Sequence, residues 1–576
     1  MNTRTNTDGT QPHVALGVSD PIDAGATPVE TRSQLEPMVE ALDRDAPAET
    51  KEGEAKRARI LKSLEGVVRE WAMEIGMQAA QLDESDARFA SAKIFLFGSM
   101  KLGVMAPNSD IDCVCVVPKH ITREHFFNNL VAKLEEVKDK FKMSEINPVE
   151  TAHTPLIEMM IEGQAVDLGF ARLNLPHLRD VDSLLDDTLL VGLDEKSARG
   201  INGNRVNEMI LRLVPNVEVF RIALRFIKHW SKRRGVSNNM LGYFGGIVWA
   251  ILVARICQLY PNYNAAGIVH RFFMVYDQWN WGYERPVLLQ TIDQIGEKAG
   301  LNHLRVWNPH NSPHDRQHLM PIITPAFPAM NSTHNVFPAT KRVIQAEIKR
   351  ARAYTQAVFE GSKEWSDVYA KAPFFGMHRQ YLRVQLLARN PTAFNRWEGF
   401  VESKLRRLFS TIEQMVPGVE LHPCPDKFPL GPDSENITRT FPQGKQMFVG
   451  VSFPKETFDL EETKSNPPDL RPAVEKFCEG IQMMMKQENY SESLQDLFIT
   501  QCTRETLPDE LKLKDFEAEM AQEAPLETEI KDGAKTGSLK RQREQEAEEN
   551  TIQAVSNQSV APKLKTRKKI EVVMAS

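Results

Sequence analysis

Asp110 and Asp112 stand at the head of an apolar run, Ile111–Val117, that Pro118 ends. A run of this composition reads as a strand. Side chains at i and i+2 of a strand point to the same face. Two carboxylates side by side repel, and burying them unpaired is costly. A divalent cation resolves the conflict. Hard oxygen ligands at this spacing suit Mg2+, which keeps waters and takes substrate phosphates in its remaining positions.

The stretch before it has matching chemistry. Ala92–Phe97 is rich in β-formers and runs into Gly98-Ser99. A glycine lets a phosphate approach the backbone, and a serine hydroxyl with nearby N–H groups can hold it. Activating a nucleophile and neutralising a leaving group then needs a second metal about 3.5–4 Å from the first. A third carboxylate must complete that pair. Asp167 lies inside the apolar strand Ala165–Phe170, which a tight turn at Glu162-Gly163-Gln164 joins to a strand at Pro155–Ile161. A lone D-x-D is usually a turn or a cap, and a lone G-S says less. Here the G-S, a D-x-D eleven residues after the serine and an in-strand aspartate follow in order.

Composition bounds the rest. The chain is 41% hydrophobic, which excludes a fibrous or wholly disordered protein. Its 576 residues predict roughly three to five domains. Six cysteines without a CxxC pair make neither a disulfide scaffold nor a zinc site, and point to a reducing compartment. The opening residues lack an apolar core, so no secretory signal is expected. The longest apolar run, near Phe244–Ala254, falls short of the ~20 residues a membrane span needs. It is expected to be a buried helix, with no membrane partner.

The pattern divides the chain into sections. Residues 1–14 are polar and expected to be disordered. Residues 15–210 carry a helix at Lys51–Gln81 and the strands above. Residues 211–365 are mainly helical, with a long helical pattern over Val217–Leu259 and another over 340–369. Residues 366–508 show strands at His378–Ala388 and Gln446–Phe453 and helices at Phe394–Val416 and Pro472–Met485. That order suggests a small ferredoxin-like α+β sandwich. Residues 509–576 lack aromatics after Phe516, are rich in Glu, Lys and Gln, and are expected to be a disordered tail.

The run Phe97-Gly-Ser-Met-Lys-Leu-Gly-Val-Met-Ala-Pro-Asn-Ser-Asp-Ile-Asp resembles the DNA polymerase β-type nucleotidyltransferase superfamily. The wider text is similar to eukaryotic nuclear poly(A) polymerases. Further matches are Leu193-Asp-Glu-Lys, Val253-Ala-Arg-Ile-Cys-Gln-Leu-Tyr-Pro-Asn, Trp279-Asn-Trp, Val306-Trp-Asn-Pro and Met320-Pro-Ile-Ile-Thr-Pro-Ala-Phe-Pro. The resemblance runs from about Leu16 to about Leu511, and is thinner beyond roughly 340. It implies an α+β multidomain fold: a palm-like α/β nucleotidyltransferase domain, a mainly helical central domain, an RRM-like RNA-binding domain and a disordered tail.

The family's three metal-binding, catalytic aspartates fall on Asp110, Asp112 and Asp167. Its ATP contacts fall on Phe97, Gly98, Ser99 and Lys228, with Lys232 one turn on along the same helix face. Asn239, Gly246 and Ile247 match positions lining its nucleotide pocket, with Ile in place of the usual Val. The family's tyrosine two residues before that asparagine is here Ser237. The implied reaction is adenylation of an RNA 3′ end from ATP, with two Mg2+ or Mn2+ ions. Asp110 and Asp112 would bridge both, and Asp167 would serve the primer side. The implied setting is a monomer in the nucleus, recruited by a cleavage and polyadenylation complex. Lys540, Arg541 and Arg543, then Lys563, Lys565, Arg567, Lys568 and Lys569, resemble a bipartite nuclear localisation signal.

Two other readings stand beside this one. A terminal uridylyltransferase or a CCA-adding enzyme would share the D-x-D core, which does not see the base. A non-catalytic RNA-binding scaffold on a decayed transferase fold would be expected to lack a metal ligand, and all three carboxylates are present.

Overall fold

A computed structural model describes residues 15–512, apart from 17, 108, 151–153, 294–300, 302, 432–438, 455–467, 488–489 and 491–492, together with 551 and 553. The expected disordered segment 1–14 and both basic clusters of the tail lie outside the described residues.

The helix expected over Lys51–Gln81 forms as α1, Lys51–Ala79. Thr50 caps it by accepting from the Gly53 N–H at 3.0 Å. Its stripe Ile60, Leu64, Val67, Val68, Trp71 and Ile75 is buried. Next come β1, Lys93–Leu96; α2, Gly98–Leu102; and β2, Ile111–Val117. β3, Met143–Val149, β4, Leu156–Ile161, and β5, Gln164–Arg172, complete a sheet of order β1-β2-β5-β4-β3. Glu162 and Gly163 both take positive φ, which closes the β4–β5 hairpin as a two-residue turn.

β2 and β5 run parallel, while the other pairs are antiparallel. The two faces of β2 differ. Ile111, Cys113, Cys115 and Val117 join a core under α1. Val114 and Val116 join a second core with Ala171, Ala198 and Ile201, the last two from α3, Glu195–Leu213. Asp110 and Asp112 share the parity of Val114 and Val116, and so lie on the α3 side.

The central section holds α4, Val217–Arg233; α5, Gly246–Leu259; α6, Ala265–Asp277; and α7, Pro338–Phe359. The single helical span expected over Val217–Leu259 is corrected to two helices. Gly235 and Gly242 take positive φ, which the intervening backbone needs to leave the helix. Arg234 is pinned there by a buried bidentate pair with Glu347, at 2.7 and 3.0 Å. The pattern over 340–369 is likewise interrupted, at Gly361, and resumes as a short turn, Trp365–Val368.

The third section holds β6, Gln380–Ala388; α8, Pro391–Met415; β7, Glu420–Pro423; β8, Phe428–Pro429; β9, Gln443–Ser452; α9, Arg471–Gln487; and β10, Gln495–Thr503. The sheet is antiparallel, with β6 and β9 central, β10 beside β6, and β7 and β8 in succession on the far edge of β9. This is the ferredoxin-like order with its second strand split in two, where two strands were expected from the sequence. Leu382, Val384 and Leu386 pack under α8 and α9 in one continuous core with the central helices. Residues 509–512, assigned to the tail by composition, form a helical turn, and Leu511 is buried against Phe374, Phe375 and Tyr381. No helix among the described residues is long and apolar enough to cross a membrane.

Candidate active site

Asp112 and Asp167 are register partners on the parallel strands β2 and β5, so their carboxylates stand side by side on one face. Asp110 lies just ahead of β2 and is exposed, whereas Asp112 and Asp167 are half-buried. Gly98 opens α2 with φ +66°, and a Cβ there would collide with the Asp112 carboxylate. The Phe97 N–H donates to the Asp112 carbonyl at 3.1 Å. From α3, Asn204 donates to the Leu96 carbonyl at 2.7 Å and Asn207 to the Gly98 carbonyl at 3.1 Å. The turn that carries Phe97, Gly98 and Ser99 is therefore held from both sides against the aspartates.

Charge in this corner is uncompensated. Burial pushes the Asp112 carboxyl up to about 6, Asp110 adds to the rise, and Lys228 opposes it. Burial also pushes Asp167 up to about 6, with Asp112, Glu158 and Asp110 adding. Glu158 is the register partner of Asp167 on β4. Burial brings Lys228 down to about 8; its neighbour Lys232 pushes the same way and Asp112 the other. Among the described residues, no ion pair neutralises the three aspartates. A set of hard carboxylate oxygens with excess negative charge in a half-buried corner fits a divalent cation.

One other set of side chains has ligand chemistry. His314, Asp315 and His318 have ligand atoms within 4.8 Å of one another, a spacing the three aspartates do not reach. Two of the three are already engaged. Arg305 donates to Asp315 at 2.6 Å. The Trp307 indole donates to Nδ1 of His318 at 3.0 Å, which leaves the proton of the neutral ring on Nε2. We do not read a metal centre there.

The residues expected to contact the nucleotide lie on one connected stretch. Lys228 is half-buried on α4, and Lys232 is exposed one turn further on. Asn239 is exposed in the break between α4 and α5, where Asn335 donates to its carbonyl at 3.1 Å. Gly246 and Ile247 open α5. α5 packs against α2 and α3, which brings this stretch alongside the turn at Gly98.

Sequence reasoning missed Arg57. This α1 side chain is 2% exposed and donates to the carbonyls of Pro107 and Ser109, at 3.1 and 2.7 Å. It pairs with Glu49. Gln164 donates to the same Ser109 carbonyl at 2.9 Å. Together they fix the backbone that delivers Asp110. An arginine among many charges on a helix gives no local signal of this role.

Comparisons with known proteins agree over most of the chain. A family model of the poly(A) polymerase nucleotidyltransferase domain matches residues 17–214. Models of the poly(A) polymerase central domain and predicted RNA binding domain match 219–371 and 373–446. The chain is 40% identical over 427 residues to poly(A) polymerase PAPalpha of Candida albicans, covering 73% of this chain and 72% of that one. It is 38% identical over 450 residues to nuclear poly(A) polymerase 1 of Arabidopsis thaliana, covering 78% and 61%. It is 36% identical over 513 residues to a poly(A) polymerase of Dictyostelium discoideum, covering 88% and 60%.

Proposed function

The chain belongs to the poly(A) polymerase family, and from that premise we propose that it adds AMP from ATP to RNA 3′ ends at Asp110, Asp112 and Asp167. The observation that carries the reading is the parallel register of Asp112 with Asp167, closed by Gly98 on one side and facing the charge of Lys228.

The RNA 3′-oxygen attacks the α-phosphate of ATP, the bond from that phosphorus to the β-bridging oxygen breaks, and pyrophosphate leaves. Asp167 accepts the 3′-hydroxyl proton. The backbone at Gly98 and the Ser99 hydroxyl hold phosphate oxygens, with Phe97 bracing their turn. Lys228 balances the triphosphate charge, and Lys232 extends that balance toward solvent. Asn239, Gly246 and Ile247 line the base side. Asp110, Asp112 and Asp167 would hold Mg2+ or Mn2+, in the pair the resemblance implies, and such ions acidify the attacking hydroxyl and neutralise the departing phosphate. Recruitment of a monomer by a cleavage and polyadenylation complex, in the nucleus, belongs to the same reading. The Arabidopsis relative, a nuclear poly(A) polymerase by name, supports the nuclear setting.

The test is extension of a labelled short RNA with each ribonucleotide separately in Mg2+, beside Asp112→Ala. A ladder with ATP alone, absent in the variant, is expected. A ladder with UTP or CTP overturns the substrate and keeps the chemistry. No ladder with any nucleotide overturns the enzymatic reading for the isolated chain.

A further inference from the structure

The strand order of the first sheet gives the site a direction. Read from β1 toward β3, one face brings the Gly98-Ser99 turn, then Asp112, then Asp167, then Glu158 of β4. In phosphoryl transfer the attacking and leaving oxygens stand roughly in line. With the departing pyrophosphate at the Gly98 turn, the attacking 3′-oxygen approaches from the Asp167 side. The rest of the last nucleotide then lies over β4.

That part of β4 is uncovered. Ile157, Met159 and Ile161 are buried in the core under α1. The alternate residues Leu156, Glu158 and Met160 face the other way, and none of them is buried. Glu158 is exposed and is the register partner of Asp167. Residues directly opposite on antiparallel strands have Cβ atoms about 4.5–5.5 Å apart. From β3, Asn147 donates to Oε2 of Glu158 at 3.0 Å. That bond aims the carboxylate, and Oε1 has no partner among the described residues. Nor does any described cation pair with Glu158. An ionised carboxylate accepts hydrogen bonds and donates none. Two such acceptors side by side match two neighbouring hydroxyl donors, and the end of an RNA chain carries that pair.

We infer that Glu158 accepts from the 2′-hydroxyl of the last RNA nucleotide while Asp167 takes its 3′-hydroxyl, so that the site selects a ribose end over a deoxyribose end. Glu158 is then a specificity contact, and Asn147 positions it. This rests on the reading of the chain as an enzyme that extends RNA. The 2′-hydroxyl is the group by which a protein tells RNA from DNA at a given position.

The test uses two labelled oligoadenylates that differ only in the last sugar, ribose or 2′-deoxyribose, each with its 3′-hydroxyl. Single additions with ATP and Mg2+, and fluorescence anisotropy without ATP, are measured on the full chain and on Glu158→Ala. A thermal melt checks that the variant folds. The wild type is expected to prefer the ribose end about tenfold in kcat/KM, as one hydrogen bond to a charged group allows. Glu158→Ala should slow the ribose-ended primer about tenfold and the other less than about twofold, so that the preference collapses. Asn147→Ala should reduce the preference in part. An equal loss on both primers overturns the proposal, and would tie Glu158 to Asp167 or to the metal ions alone. A preference absent from the wild type, or surviving in the folded variant, also overturns it. A wild-type chain that extends neither primer defeats the enzymatic reading, and anisotropy then decides. Tighter binding of the ribose end, abolished by Glu158→Ala, upholds the contact; equal affinities overturn it.

Discussion

Among the described residues there are two five-stranded sheets, and they treat their outward faces differently. In the third section, Phe374, Phe375, Leu507 and Leu511 cover much of the face turned from the helices, with Phe498 left exposed on β10, and the Tyr381 hydroxyl finds carbonyl partners. In the first section, the face beside α3 begins with Asp112 and Asp167, half-buried, adjacent and without ion pairs among the described residues. The first sheet keeps an electrostatic debt at its edge, and that is where a cation and a triphosphate can be recruited.

The contrast can be broken most sharply at Asp112. Asp112→Asn is expected to cut RNA extension at least about a thousandfold, since even outer-shell partners of a metal cost 10–100-fold. It should also raise the melting temperature at neutral pH, because a like charge is removed. A variant that melts lower and still extends RNA would erase the distinction between the sheets.

The next effect lies behind the site. Arg57→Ala strands Glu49 and frees the carbonyls of Pro107 and Ser109. It should cost about 3–5 kcal/mol, read as a shift of the urea midpoint, and raise the Mg2+ needed for half-maximal extension. Arg57→Lys restores the charge without the fork and should recover part of both. In the third section's sheet, Leu511→Ala should cost about 2 kcal/mol by opening the cluster over Tyr381, read by thermal melting. Its sign is opposite to that of Asp112→Asn.

The smallest effect is one of pH. The folded-state values of about 6 for Asp112 and Asp167 exceed their ordinary 3.8. In the folded state these groups hold protons that the unfolded chain has released, so their contribution to stability falls as pH rises from about 4 through 6. At neutral pH the cost is in full force. Mg2+ should therefore raise the melting temperature by a few degrees at pH 7.5, and the increment should fade as pH falls below about 6. An increment independent of pH would mean that Mg2+ acts elsewhere.

The placement of the carboxylates was legible in the sequence where it is local. Period-two alternation put Asp110 and Asp112 on one face, and Asp167 stood out because an aspartate in Ala165–Phe170 has no apolar reason to be there. The hairpin at Glu162-Gly163 was legible from its turn. What could not be read is long-range. Nothing local says that β2 pairs in parallel with β5, or that Arg57 reaches Ser109. The strands β7 and β8 are too short and irregular to show alternation, and β10 is largely polar. The break at 234–245 hid inside an apolar helical pattern, because Gly235 and Gly242 read as ordinary punctuation until φ is known.

The loop around Asn239 also bears on how the molecule can be divided. Asn238 is held by Glu402, Met240 by Arg406, and the Tyr243 hydroxyl donates to the Pro423 carbonyl at 2.7 Å. All three partners come from the third section, although the loop belongs to the second. A chain trimmed ahead of β6 would keep every aspartate and lose the supports of its base-side loop, so its grip on nucleotide should suffer along with its grip on RNA. The catalytic part is not a portable cassette: anyone grafting it onto another protein would have to carry α8 with it.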